Sequence, residues 1–283
     1  LSIWRTILAI PHFIKIFLSN VRLLRKLLKK NAYHGIVIDS DYTMFWLKKQ
    51  VTIPIFALNN SDIVVEECKA LSKIPKELRM QYWVEKCDHW FHQKVPTMVL
   101  SPAINPRSFK DHKSLRHFAP YIREGLKVRT PEKELKTILV MFSGSQFGSS
   151  VDFLYQLQRR PGVTLHVVGR EGQSSDWINF HGKVHNNKEL VNQADMMVIN
   201  AGFSAVSEAV VLRKPAIVLR IANHAEQFIN ALTVQKMGLG LIANSDNVGH
   251  KIEEMANQFS DFVEAHLAFN CPINGSEKCA DVI

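Results

Sequence analysis

Two runs of small residues follow apolar segments in this chain. Thr137–Phe142 leads into Ser143-Gly144-Ser145-Gln146-Phe147-Gly148-Ser149-Ser150, and Met196–Ile199 leads into Asn200-Ala201-Gly202-Phe203-Ser204. Small side chains let backbone N–H groups approach an anion, and a helix opening at such a turn adds its dipole and unpaired donors. The chemistry on offer is phosphate binding, although each run taken alone serves equally well as a tight strand-to-helix turn. Neither run ends in Gly-Lys-Ser/Thr, and neither has G-x-G-x-x-G spacing, which argues against a Walker-type nucleotide site and a nicotinamide enzyme. The four cysteines (Cys68, Cys87, Cys271, Cys279) form no C-x-x-C pair, and no cluster of metal-ligating residues is visible. Neither a metal nor a bound cofactor is expected.

The elements that must position these loops alternate regularly. Strands are expected at Thr137–Phe142, Val163–Val168, Met196–Ile199, Ala216–Leu219 and Leu239–Ala243. Helices are expected at Val151–Arg160, Lys188–Ala194, Ser204–Leu212, His224–Lys236 and Val248–Leu267. Such alternation predicts a doubly wound parallel sheet, in which ligands bind beyond the carboxyl ends of the strands. Both small-residue runs fall there.

The first part of the chain is less regular. Gly35–Ser40, Thr52–Leu58 and Thr97–Leu100 read as buried parallel strands, with a short helix at Tyr42–Gln50. A second helical stretch, from Asp62 to about Glu85, is broken near Pro75. Residues 101–135 carry Pro102, Pro106, Pro120 and Pro131 among many charges, a linker signature. The expected division is 1–105, 106–135 as linker, and 136–283.

Charge is concentrated at the start. Of the formal +9, residues 1–30 contribute +7 (Arg5, Lys15, Arg22, Arg25, Lys26, Lys29, Lys30, with no acid), leaving +2 for the rest. Lys15 interrupts the apolar run, so a membrane-spanning helix is not expected. Ile14, Phe17, Leu18, Val21, Leu24 and Leu28 recur at helical spacing. That pattern fits a helix lying in a membrane interface and equally a helix packed on a sheet with a solvated basic face. The basic residues are not interleaved with stacking aromatics on the later α/β unit, so nucleic-acid binding is not expected.

The stretch Asn200-Ala-Gly-Phe-Ser-Ala-Val-Ser-Glu-Ala-Val-Val-Leu-Arg-Lys-Pro-Ala-Ile-Val-Leu219, followed by His224-Ala-Glu-Gln-Phe-Ile-Asn-Ala231, resembles the nucleotide-sugar-binding signature of GT-B glycosyltransferases of the family 28 type. The specific run covers about thirty residues, and weaker agreement extends over most of the chain. The resemblance implies a GT-B fold: two Rossmann-like α/β domains, each a doubly wound parallel sheet, with a cleft between them. The N-terminal domain reads as incomplete, because the chain opens at Leu1 in a helix and not in the family's first strand and loop.

By this resemblance Glu208 accepts the ribose hydroxyls, and Ser204 and Ser207, with the amides near Gly202 and Phe203, hold the diphosphate. Glu226 and Gln227 face the donor sugar, with Asn230 in the same signature. Ser143, Gly144, Ser145 and Gln146 close over the phosphates, and His224 assists nearby. Asp39 and Asp41, at the end of an early strand, are candidates for the base that deprotonates an acceptor hydroxyl. The other expectation is that the base precedes Leu1, on the loop where the family often carries it. The family's lipid II-forming member has a His-Glu pair near Leu58-Asn59-Asn60-Ser61, and none exists here.

The expected activity is transfer of a sugar from a UDP-linked or other nucleotide-sugar donor to a lipid-linked or other hydroxyl acceptor, without a metal, in the cytoplasm at the inner membrane face. The alternatives are a sugar-nucleotide hydrolase or epimerase of the same fold, or a non-catalytic donor-binding subunit that needs a partner.

Overall fold

The computed structural model describes residues 3–142, 151–269, 271 and 275–283. It contains two parallel sheets with helices packed around them. In the first, α1 (Ile3–Lys30) precedes β1 (Ile36–Asp39), α2 (Met44–Leu47), β2 (Ile55–Leu58), α3 (Ser61–Ala70), α4 (Arg79–Lys94), β3 (Met98–Pro102) and β4 (Leu115–Phe118). These strands lie in the order β1-β2-β3-β4. The second group comprises β5 (Thr137–Met141), β6 (Thr164–Val168), β7 (Ile178–Phe180), α5 (Lys188–Gln193), β8 (Met196–Asn200), α6 (Phe203–Val211), β9 (Ala216–Leu219), α7 (Ala225–Lys236), β10 (Gly240–Ala243), α8 (Val248–Asn257), α9 (Phe259–Phe269) and α10 (Gly275–Ala280).

The second sheet has the order β10-β9-β8-β5-β6-β7 with every pairing parallel. That is the doubly wound order expected from the alternating sequence. Its strands are apolar on both faces because helices cover both: all five residues of β8 are buried. One core cluster, with Leu139, Met197, Ile199, Val206 and Val218, packs under α5, α6 and α7. The other, with Val140, Val198, Ile217, Ile252 and Val263, packs under α8 and α9.

Several elements differ from their sequence patterns. The stretch read as linker contains β4, which pairs with β3 from Val99↔Leu115 to Pro102↔Phe118; only Leu115 and Phe118 of its four residues are buried, so no apolar run marks it. The helix expected at Val151–Arg160 is a single 3-10 turn over Asp152–Gln156. Pro161 lies just beyond, and the residue before a proline is pushed out of helical geometry. Val248–Leu267 is two helices that break at Gln258, which turns the chain so that Phe259 and Val263 reach the core. In contrast, α1 runs unbroken past Pro11. It packs on the first sheet through Phe17, Val21, Leu24 and Leu28, while Phe13, Ile14, Ile16, Leu18, Leu23 and Leu27 stay exposed.

The first sheet is tied together by a buried polar relay. Asp62, in the first turn of α3, accepts from Ser101 Oγ at the end of β3 (2.7 Å) and meets Nε2 of His117 on β4 (2.8 Å). His117 Nδ1 lies 2.9 Å from Asp111. Burial alone would favour the neutral imidazole, but the hydrogen bonds and charges of the two carboxylates outweigh it and raise the His117 pKa above its ordinary value. A group whose pKa is raised on folding contributes stability in full below its unfolded pKa of about 6.5 and loses it as pH rises through the folded value. His117→Gln should therefore flatten the fall in unfolding free energy as pH rises above about 6.5, measured by urea denaturation. An equal fall in both proteins would show that His117 does not carry it.

Candidate donor-binding cleft

At the middle of the second sheet β5 and β8 are neighbours, in register from Ile138↔Met196 to Met141↔Ile199. The chain leaves β5 towards β6 and leaves β8 towards β9, so a crevice opens beyond their carboxyl ends. A cleft of about 720 Å3 sits there, within the size range of small-molecule sites. Its walls come from the ends of β5 and β6 (Met141, Phe142, Val168, Gly169), the approach to α5 (Lys183, Asn187), the end of β8 (Asn200), the start of α6 and the first turn of α7. Gly169 has φ +84°, and a Cβ there would lie 2.2 Å from the Phe142 carbonyl oxygen, so this wall is bare backbone by necessity.

The α6 end of the cleft fits an anion. Gly202 is extended (φ −66°, ψ 140°), and the first intrahelical bond runs from Val206 N–H to its carbonyl. The amides of Phe203, Ser204 and Ala205 are the donors that a helix start leaves without intrahelical acceptors. The turn is fixed from below by Asn230, whose buried Nδ2 donates to the Ala201 carbonyl (3.0 Å). Gln227 accepts from Ile221 N–H (3.0 Å), which shapes the loop between β9 and α7.

The expected site residues divide accordingly. Gly202, Phe203, Ser204, Glu226 and Gln227 line the cleft together, whereas Asn230 supports it from behind. Ser207 is fully buried with its hydroxyl unpartnered, and it is not among the residues that line the cleft. His224 caps α7 through Nδ1, which accepts from Gln227 N–H (3.5 Å); burial lowers its pKa and keeps that nitrogen able to accept. Glu208 is buried in a bidentate pair with Arg123 at 2.6 and 2.9 Å.

The two candidate bases do not join this group. Asp41 holds the turn that opens α2 by accepting from Thr43 N–H (2.7 Å) and its hydroxyl. Neither Asp41 nor Asp39 lines this cleft of the second unit; both sit at the end of β1 in the first sheet, the side from which an acceptor is expected. Leu1, upstream of which the base is otherwise expected, lies outside the described residues, as do Ser143, Gly144, Ser145 and Gln146.

Sequence reasoning missed Lys183, Asn187 and Arg123, which have no local motif. It also missed Glu85 on α4, whose pKa is raised by burial and by the neighbouring charges of Glu226 and Asp88. Burial raises the Glu226 pKa in turn, partly offset by a hydrogen bond from Asn230. Among the described residues no group of three or more His, Cys, Asp or Glu side chains is placed to hold a metal ion.

Residues 1–260 match the model of glycosyl transferase family 1. Two curated relatives are more specific. A UDP-N-acetylglucosamine–N-acetylmuramyl-(pentapeptide) pyrophosphoryl-undecaprenol N-acetylglucosamine transferase of Clostridium novyi is 23% identical over 201 residues, covering 62% of this chain and 55% of that protein. An uncharacterised glycosyltransferase of Methanopyrus kandleri is 27% identical over 153 residues, covering 52% and 44%. The chain thus spans about half the length of the curated relatives it matches. Among solved structures, the glycosyltransferase of kitacinnamycin superposes with a TM-score of 0.62 at 17% identity, covering 90% of this chain and 76% of that one. UGT2 of Phytolacca americana, complexed with UDP-2-fluoro-glucose and pterostilbene, does so with a TM-score of 0.64 at 13% identity, covering 89% and 73%. With a family match over nearly its whole length and the two-sheet architecture of those structures, the chain belongs to glycosyl transferase family 1 and has the GT-B fold.

Proposed function

We infer that this chain binds a nucleotide-sugar donor, UDP-linked, at the carboxyl ends of β5 and β8, and that an acceptor hydroxyl attacks the anomeric carbon from the side of the first sheet. The observation that carries this reading is the convergence of Gly202, Phe203 and Ser204 with Glu226 and Gln227 in one cleft. The start of α6 receives the diphosphate on its unpaired amides and positive dipole end. The same groups stabilise the diphosphate as it departs, so the reaction needs no bound metal and no cofactor besides the donor. Glu226 and Gln227 face the sugar hydroxyls, and Glu208 reads the ribose. The Clostridium relative, by its name, draws on UDP-N-acetylglucosamine, and the Phytolacca structure holds a UDP-sugar analogue; both support a UDP-linked donor. Asp39 and Asp41 stay the candidates for the base on the acceptor side, with Asp41 also accepting from Thr43 at the start of α2.

The acceptor side is read as peripheral to a membrane, on its cytoplasmic face, with a lipid-linked acceptor. No helix among the described residues is long and apolar enough to cross a bilayer. Yet α1 exposes Phe13 (65%) and Leu23 beside Arg22, Arg25, Lys26, Lys29 and Lys30. Next to α1, α2 exposes Phe45 and Trp46 (63%), and Phe45 meets the exposed Trp90 of α4. Apolar and indole side chains with flanking cations suit an anionic lipid interface.

Three measurements test these readings. A thermal-shift screen with UDP-, GDP-, CMP- and dTDP-sugars should raise the unfolding midpoint with UDP-sugars, and Glu208→Ala should weaken UDP binding by about 10- to 100-fold, the worth of a charged hydrogen-bond acceptor. Silence across the panel rejects the donor site. In sedimentation with vesicles, binding should require anionic lipid, and the double variant Arg22→Glu, Lys26→Glu should lower it by at least about 30-fold, at about 1 kcal/mol per cation. Equal binding to neutral vesicles rejects the membrane reading.

A further inference from the structure

Arg123 lies on the segment between β4 and β5 that joins the two sheets, yet its guanidinium reaches into the second unit. Nε donates to Glu208 Oε1 (2.6 Å) and Nη2 to Oε2 (2.9 Å), a fork on both carboxylate oxygens. Nη1 donates to Asn187 Oδ1 (2.8 Å), and Asn187 Nδ2 in turn donates to Met141 Sδ (2.8 Å). Asn187 and Met141 both line the donor cleft. Glu208 follows Ser204, also of the cleft, by four residues on α6, so the two share a helix face one turn apart.

The main chain around Arg123 is equally fixed. Ile122, Leu126 and Val128 pack against the core beneath α6. Asn192 of α5 accepts from Lys127 N–H (2.9 Å) and donates to the Gly125 carbonyl (3.1 Å). The Glu208 side chain is only 5% exposed and the Arg123 side chain 44%. An ionised carboxylate offers about four acceptor directions. The fork takes two of them and leaves two, the number that a vicinal diol fills with its two O–H donors.

We propose that Arg123 is a positioning residue for the ribose of the donor: its fork fixes the plane and rotamer of Glu208 so that the remaining acceptor directions meet a cis-diol. This rests on the reading of the cleft as a donor site, and it makes the joining segment part of that site. Lysine cannot replace it, since a point charge does not set the plane of a carboxylate.

The experiment compares UDP with 2′,3′-dideoxy-UDP by calorimetry on the full chain. The unmodified protein should prefer UDP by at least about 100-fold, the worth of two hydrogen bonds to a charged group. Arg123→Ala and Arg123→Lys should bring that ratio to within about threefold while leaving dideoxy-UDP affinity unchanged within the same factor, because that ligand does not use Glu208. A variant that merely loosened the fold would weaken both ligands alike. Where Arg123→Ala fails to fold, Arg123→Lys, which keeps the charge, gives the same readout. A ratio that collapses in Glu208→Ala but persists in both Arg123 variants overturns this inference and leaves the donor site standing. No binding of UDP by the unmodified chain overturns both.

Discussion

The parallel pairing of β5 with β8, and the opposite directions in which the chain leaves them, is the constraint on which the candidate site depends. Five backbone residues on each strand have no freedom of register, because both faces of the sheet are buried and a slip of one residue would turn core side chains to the wrong helix layer. With that register set, the starts of α6 and α7 arrive at one end of the sheet. Asn230 and Gln227 then fix the two loops by hydrogen bonds to backbone. The two turns at the mouth of the cleft are thus fixed, because the groups that shape them are spent on the protein's own main chain.

The second sheet and its crevice are legible in the sequence because parallel strands buried on both faces must be continuously apolar, as Met196–Ile199 and Ala216–Leu219 are. The Gly202 turn is legible for a related reason, since small residues directly after such a strand have few other uses. What escaped is what depends on partners distant in sequence. β4 buries only its first and last residues amid prolines and charges, and only its pairing with β3 makes it a strand. Ser207 and Glu208 sit in a signature that implies ligand contact, but neither the full burial of Ser207 nor the pairing of Glu208 with Arg123 can be read from that signature. Nothing in the sequence near Arg123 announces its ion pair, because its partner lies 85 residues away. His224 shows the converse: its place before a helix admits both a ligand role and a cap, and the structure shows the cap.

The two sheets meet through apolar contact more than charge. Val64 and Cys68 of α3 bury against Ala225 and Ile229 of α7, and Ile104, just after β3, enters the core beneath α6. The one ion pair among the described residues that joins α3 to α7, Lys236 with Glu67 at 3.6 Å, is half-exposed and adds little. The same helix α7 carries Glu226 and Gln227 at the mouth of the cleft, so the element that packs the sheets together is also one of the cleft's walls.

The helix α10 gives the molecule an order of assembly. It belongs by sequence to the second unit but packs on the first sheet, where Gly275 N–H bonds the Pro120 carbonyl and Cys279 joins Phe56, Leu100 and Phe118. Tyr121 donates to Cys279 across 158 residues. A ribosome releases the first sheet long before the strand of chain that seals it. The first sheet therefore keeps an apolar flank open until the second has been made, which couples completion of the two halves in time as well as in space.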